Sequence, residues 1–447
     1  MENKISKNLL ELIYSLIQEQ INDESAKIIK EIINIQNSGK NISKTDLIKN
    51  FSTKKEIKDK NIPTDKIFER LMNLNYIENN KINDESIILK IDNILNILLY
   101  PRYCYYINSI YGPKNLKIIE YLLEYGLYSI GDEDNNSQNK NINFTKDDFN
   151  LLVRDGIIIK KNYQKSNSKN ITTNSNMDID IDIDCNNNNN IFDINIKEIY
   201  TINYNLLDEI LFKEYIINFY KNYISMNFKF YELFKKVVNS DYFSYELKNY
   251  ENNLLNDKIN DNYDYDKLLI KENNKIKLNL DIIKYDLFYN SIEKIINVIY
   301  SSKHIRILKI IQRYGNLTIF QIAQKACLKS IEVEEILNDL IYSVKIVKKI
   351  KNEIKEKKDD KDDKNINVAE DIFCLNEINE SHINEAKDKI YDIIKNIKFE
   401  IKDKLKELQG RISKESQIQF INKYYSLINS FSEILNSYNF LFEKNSK

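Results

Sequence analysis

The chain has 447 residues, 42% hydrophobic and 30% charged, and its 66 basic side chains nearly cancel 67 acidic ones to leave a formal net charge of −1. That balance excludes blanket attraction to nucleic acid, so any DNA contact has to come from local patches. Four cysteines without a C-x-x-C pair and two histidines exclude zinc sites of the usual spacing, and no run of 18 apolar residues offers a membrane span.

Ile, Asn, Lys and Tyr are abundant while Gly, Pro and Trp are scarce, the bias of an AT-rich coding sequence. Lysine runs are discounted accordingly. The opening "MENKISKNLL" has scattered charges and no secretory pattern. The expectation is a soluble intracellular protein with free thiols and no membrane partner.

Apolar spacing predicts an amphipathic helix over Leu9–Ile21 and a second over Ser25–Asn37, stopped by Gly39. Ser43 then caps a short helix carrying Leu47, Ile48 and Phe51. Beyond a lysine-rich loop, Pro63 suits the first turn of a helix with Ile67, Phe68, Leu71 and Leu74. "NYIENNKIN" and "SIILKI" read as two strands around a turn. Helices followed by a β-hairpin form the winged-helix pattern, a helix-turn-helix with a β appendage. "YPRYCYYINSIYG", Tyr100–Gly112, predicts a helix begun by Pro101, with Tyr103, Tyr106, Ile107 and Ile110 on one face buried between two such modules.

"LKIIEYLLEYG", Leu116–Gly126, is nearly repeated as "RILKIIQRYG", Arg306–Gly315. The first opens a central copy: a polar insertion, the helix "FTKDDFNLLVRDG", the strand "IIIKK", a second insertion and the strand "IKEIYTI". The second opens another copy: Thr318 caps "IFQIAQKA", Ser330 caps "IEVEEILNDLIY", and "VKIVKKI" and "NVAEDIFCLNE" are strands flanking a charged run. Between the copies, Leu206–Val238 is helical and aromatic-rich, and Asn239–Leu287 reads as a degenerate module. At the end, Ile390, Ile394, Ile397, Ile401, Leu405, Leu408 and Ile412, then Ile421, Tyr424, Ile428, Phe431, Leu435, Tyr438 and Phe442, keep 3-4 spacing on either side of Gly410.

The expected fold is therefore mainly α: three to four tandem winged-helix domains with a C-terminal coiled-coil helical hairpin. Residues 1–98 form the first winged helix with an N-terminal helix. Residues 99–205 form the second, with disordered insertions near 131–143 and 162–190. A linking helix and degenerate third winged helix occupy 206–287, and a fourth occupies 288–377, with a long charged wing near 351–367. The hairpin takes 378–447.

Catalytic patterns fail one by one. "GLYSIGD" has P-loop glycine spacing but Asp132 and Glu133 where Lys and Ser/Thr belong. "DIDIDID", Asp178–Asp184, has Ile183 and Asn189 where a calcium loop needs Gly and Glu. Neither His304 nor His382 has an evident nucleophile or orienting partner. We expect no active site, no metal and no cofactor on this chain. The third helices carry Glu332, Glu334, Glu335 and Asp339 in the last copy, Asp147, Asp148 and Asp155 in the central one, and Asp65 and Glu69 in the first. A base-reading helix displays Arg, Lys, Asn or Gln instead, so these modules read as protein-docking platforms. Phosphate-contact candidates are Lys54, Lys55, Lys58 and Lys60, and Lys345, Lys348, Lys349 and Lys351, which would hold DNA without reading sequence. Subunit-docking candidates are Ile421, Tyr424, Ile428, Phe431, Leu435 and Tyr438.

"LLYPRYCYYINSIYGPKNLKIIEYLLEYGLYS", Leu98–Ser129, with its Tyr-Pro-Arg-Tyr at Tyr100–Tyr103, resembles the junction of the first two winged helices in the family of the third-largest subunit of RNA polymerase III. Lys7–Ile33 is similar to that family's N-terminal opening, and Lys303–Leu340 to its fourth winged helix. The third module departs most. The resemblance implies a non-catalytic nuclear subunit similar in design to the alpha subunit of the general factor TFIIE. It implies membership of the three-subunit initiation assembly on the clamp of the largest subunit, which docks promoter factors and supports DNA opening for small RNAs such as tRNA and 5S rRNA. The catalytic magnesium would belong to the largest subunit. Two rival readings are a sequence-specific winged-helix regulator and a winged-helix scaffold of another nuclear assembly.

Overall fold

The 3-4 apolar spacing decides most local structure in this chain. In the computed structural model the chain is mainly helical with small antiparallel sheets. The structure describes residues 5–39, 43, 45, 47, 64–79, 86–130, 144–164, 196–224, 228–240, 243–246, 267–272, 275–352, 370–408 and 414–443. The chain divides into two units, one of residues 1–12 with 212–447, the other of residues 13–211.

The 13–211 unit holds most of α1 (Lys7–Gln20), then α2 (Asp23–Asn37) and α3 (Thr64–Asn73). α2 starts ahead of the expected Ser25, because the Asn22 side chain accepts the Ser25 N–H at 2.8 Å as an N-cap. It buries Ile28, Ile29, Ile32 and Ile33. Leu47 is buried too, while Ile48, Phe51 and Pro63 lie outside the described residues. β1 (Ile77–Asn79) and β2 (Ile87–Leu89) pair antiparallel, and Ser43 forms an isolated antiparallel bridge with Ser86, the residue before β2.

After α4 (Ile91–Leu95) and a 3-10 turn comes α5 (Tyr100–Tyr125), with Pro101 in its first turn. Gly112, at φ 81°, and Pro113 kink it. Tyr103 and Ile107 are buried as expected, but Ile110 is 61% exposed. The buried stripe steps from Ile107 to Tyr111, which packs on the cluster, rather than to Ile110. The rest of the unit is β3 (Leu127–Ile130), α6 (Lys146–Arg154), β4 (Ile158–Gln164) and β5 (Ile196–Ile202), with the strands ordered β3-β5-β4. α6 begins with a capping box between Thr145 and Asp148. The first insertion lies outside the described residues. So does most of the second, although β4 continues past residue 162, where that insertion was expected to begin.

α7 (Tyr204–Ile224) begins in this unit and ends in the other. It is followed by α8 (Phe228–Asn239), β6 (Ser244–Glu246), β7 (Leu269–Glu272) and β8 (Lys275–Leu278), ordered β6-β8-β7. α9 (Leu280–Ile299) then spans the expected 287/288 boundary. It buries Ile283, Leu287, Phe288, Tyr289, Ile292, Ile295 and Ile296, so apolar residues surround it and leave no single stripe to read.

α10 (Ser302–Tyr314) ends at Gly315, as expected. Next are β9 (Leu317–Thr318), α11 (Ile319–Ala326), α12 (Ser330–Asn338), β10 (Val347–Asn352) and β11 (Glu370–Leu375), ordered β10-β11-β9. Thr318 and Gln321 form the capping box of α11. Ser330 is the first helical residue of α12 rather than its cap, a place taken by the extended Lys329. The charged run after Asn352 lies outside the described residues. In each of the three three-stranded sheets among the described residues, the last strand in sequence is the central one.

α13 (Glu380–Leu408) and α14 (Lys414–Tyr438) pack on one another and on α9. The segment containing Gly410 lies outside the described residues. Residues near the chain start join this unit: the Ser6 hydroxyl and the Asn8 amide donate to Asp388, and Lys395 reaches Glu11 at 3.0 Å.

Candidate interaction surfaces

The first lysine group, Lys54, Lys55, Lys58 and Lys60, lies outside the described residues. In the second group, Lys345 pairs with Glu385 at 2.8 Å and Lys349 with Asp371 at 2.5 Å. Their charges are therefore partly spent within the chain. Lys349 and Asp371 meet because β10 and β11 are in antiparallel register there. Lys348 is half-buried, and Lys351 pairs with Asp371 in backbone register.

The docking candidates at the C-terminus divide sharply. Ile428, Phe431, Leu435 and Tyr438 are buried within the chain's own unit. Tyr438 hydrogen-bonds Ser291 of α9, and Lys294 of α9 donates to Ser430 at 2.7 Å. Phe440 stacks on Phe212 of α7 at 4.3 Å. These residues are core, which corrects their assignment to a surface for other subunits. Ile421 and Tyr424 are half-buried, and the Tyr424 hydroxyl donates to Glu400 of α13 at 3.1 Å. Among the described residues, the apolar side chains that do face outward on these helices are Phe399, Ile418, Tyr425 and Leu427, with Phe399 67% exposed.

The tyrosine-rich stretch is a buried polar junction. The Tyr100 hydroxyl sits 3.0 Å from that of Tyr76, just before β1, and 3.4 Å from that of Tyr204 in α7. Tyr103 donates to Asp208, also in α7, and both are buried. Burial raises the Tyr103 hydroxyl well above its usual pKa, with Asp208 adding to the effect, and burial pushes Tyr204 up to about 12. These groups stay protonated donors. Their work is to join β1, α5 and α7, not to stack on bases.

The acidic third helices are partly satisfied at home. Lys303 pairs with Glu332, Lys114 with Asp148 at 2.5 Å, and Glu198 of β5 accepts from Lys146 at 2.7 Å and Lys160 at 2.8 Å. Glu334 and Glu335 remain exposed. His304 does have partners: Asp339 lies 3.1 Å from its Nε2, the Ser301 hydroxyl 3.1 Å from its Nδ1, and Tyr300 stacks on its ring at 4.7 Å. Ser301 occupies the N-cap position of α10, so the set ties a helix start to the end of α12. Asp339 is 35 positions away, beyond any local pattern. His382 exchanges hydrogen bonds with Asn379 at the start of α13, a capping role.

One surface was not anticipated. A groove of about 660 Å³ at α10 and α11 is lined by Arg306, Lys309, Arg313, Lys325 and Tyr314. The signal was present in "RILKIIQRYG", whose cations at 306, 309 and 313 follow helical spacing.

Among the described residues there is no cluster of three or more metal-ligating side chains, and no helix is long and apolar enough to cross a membrane. Comparison with protein-family models and with curated proteins gives no match.

Proposed function

We propose that this chain is a non-catalytic subunit of RNA polymerase III that acts in transcription initiation in the nucleus. In this reading its modules are tandem winged helices, and α13 and α14 form a coiled-coil hairpin. The observation that carries it is the recurring strand order: each three-stranded sheet follows one or more helices and closes with its last strand in the middle. The Tyr100–Tyr103 motif supports it further, because both tyrosines are buried and the Tyr100 hydroxyl lies 3.0 Å from that of Tyr76, ahead of β1.

Exposed Glu334 and Glu335, together with Phe399, Tyr425 and Leu427 on the terminal helices, dock neighbouring subunits. The partners are the other members of the initiation heterotrimer, the clamp of the largest subunit and the promoter factors. DNA is contacted without reading its base edges, because acidic third helices do not suit them. Purifying the tagged chain and identifying its stoichiometric companions tests the reading, with RNA polymerase III subunits expected. Tight, sequence-selective duplex binding by a chain without companions would establish a regulator instead, and companions from a proteasome- or signalosome-type assembly would establish a scaffold.

A further inference from the structure

We propose that the groove at α10 and α11 binds the sugar-phosphate backbone of nucleic acid. Arg306, Lys309, Arg313 and Lys325 all line it, all are exposed, and no carboxylate is among its lining residues. Glu293 pairs with Lys309 at 2.9 Å from outside that lining, leaving an excess of positive charge. The opposite face of α10 is core, with Ile307, Leu308 and Ile311 fully buried, so the cations are confined to one side.

Coding bias does not explain this patch. An AT-rich gene inflates lysine rather than arginine, and the whole chain has six arginines, two of which are here. A guanidinium presents a planar fork that fits phosphate oxygens in pairs. Arg306 and Arg313 stand about 10 Å apart along the helix at about 1.5 Å per residue. One DNA strand places a phosphate every ~3.4 Å of duplex axis, so the row faces about three of them. Tyr314 is half-exposed at the end of the row, with the Lys325 ammonium 3.9 Å from its ring centroid and Arg313 at 5.5 Å. An aromatic face beside cations suits a base following its phosphate. An acidic peptide matches the charge but has neither the regular spacing nor the ring, which favours nucleic acid.

The test uses the full chain and labelled 20-nucleotide probes, one single-stranded and one duplex, with affinity read by fluorescence anisotropy between 50 and 200 mM salt. Arg313→Ala combined with Lys325→Ala should flatten the plot of log affinity against log salt by about 1.5–2, similarly for unrelated sequences. Arg313→Lys should keep the slope, since the charge remains. Arg306 is left intact because it donates to the Ala326 carbonyl at 3.2 Å. If the double variant loses its melting transition, Lys325→Ala alone carries the test, with a slope change of about 0.8. An unchanged slope in a folded variant overturns the proposal. So does wild-type chain that binds polyglutamate but neither probe at 50 mM salt, which would identify the groove as a site for acidic protein. The strand form held more tightly tells which nucleic acid the groove prefers. The binding is measured on the chain alone, so its outcome is separate from membership of the polymerase.

Discussion

Tyr103 shows what a single hydroxyl does in this protein. It donates to Asp208 in a buried setting, where a carboxylate depends strongly on each donor it has. Tyr103→Phe removes that donor while keeping the ring, and we expect a loss of about 1–3 kcal/mol in denaturant unfolding of the 13–211 unit. A midpoint unchanged from wild type would refute the account. Glu198 is a case where pH enters. Its hydrogen bonds with Lys146, Lys160 and Tyr200 hold its carboxyl down to about 2, against an ordinary 4.5. The folded value lies below the unfolded one, so the stabilisation is whole above pH 4.5 and disappears as pH falls towards 2. Glu198→Gln should therefore lose stability less steeply than wild type across that interval. The group sits near the surface, so the difference is modest and smaller still in high salt.

At the scale of elements, the two similar phrases end alike for different reasons. Gly126 and Gly315 both sit at positive φ and both close a helix, donating to the carbonyl four residues back at 2.8 and 2.9 Å. Each then hands the chain to the first strand of a sheet. Only Gly126 is also pressed against other backbone: a Cβ there would lie 2.1 Å from the Asn73 carbonyl oxygen. Gly126→Ala should cost about 2 kcal/mol or more, combining backbone strain with a contact that nothing can vacate cheaply. An equilibrium unfolding curve checks it, and a loss below about 0.5 kcal/mol would show that the chain there relaxes easily. Elements with one apolar stripe, such as α2 and α10, were legible in the sequence. β3 was not, because its four residues are all half-buried and show no alternation, and β9 was not, because two residues cannot show one. α9 was missed because it is buried on nearly every side.

For the whole molecule, periodicity reveals that a face is buried but not what buries it. The stripe through Ile428, Phe431, Leu435 and Tyr438 was legible as a stripe, yet its partners, α9 and the chain around Phe212, are far away in sequence. Similarly, the lysines entering β10 looked available until Glu385 and Asp371 came beside them through tertiary structure. The terminal helices are thus part of the 212–447 core. Phe431→Ala should destabilise the purified chain by about 3–5 kcal/mol with no other subunit present. A variant as stable as wild type, defective only in assembly, would return Phe431 to a docking role.

The bonds from Ser6 and Asn8 to Asp388 join positions as much as 382 apart. A ribosome adding about 5–20 residues per second needs roughly 20–80 s to make that stretch. During this interval residues 13–211 are already synthesised and can collapse, while the segment that begins their neighbour has nothing yet to grip. The Ser6 and Asn8 donors therefore wait for an acceptor translated up to 382 positions later.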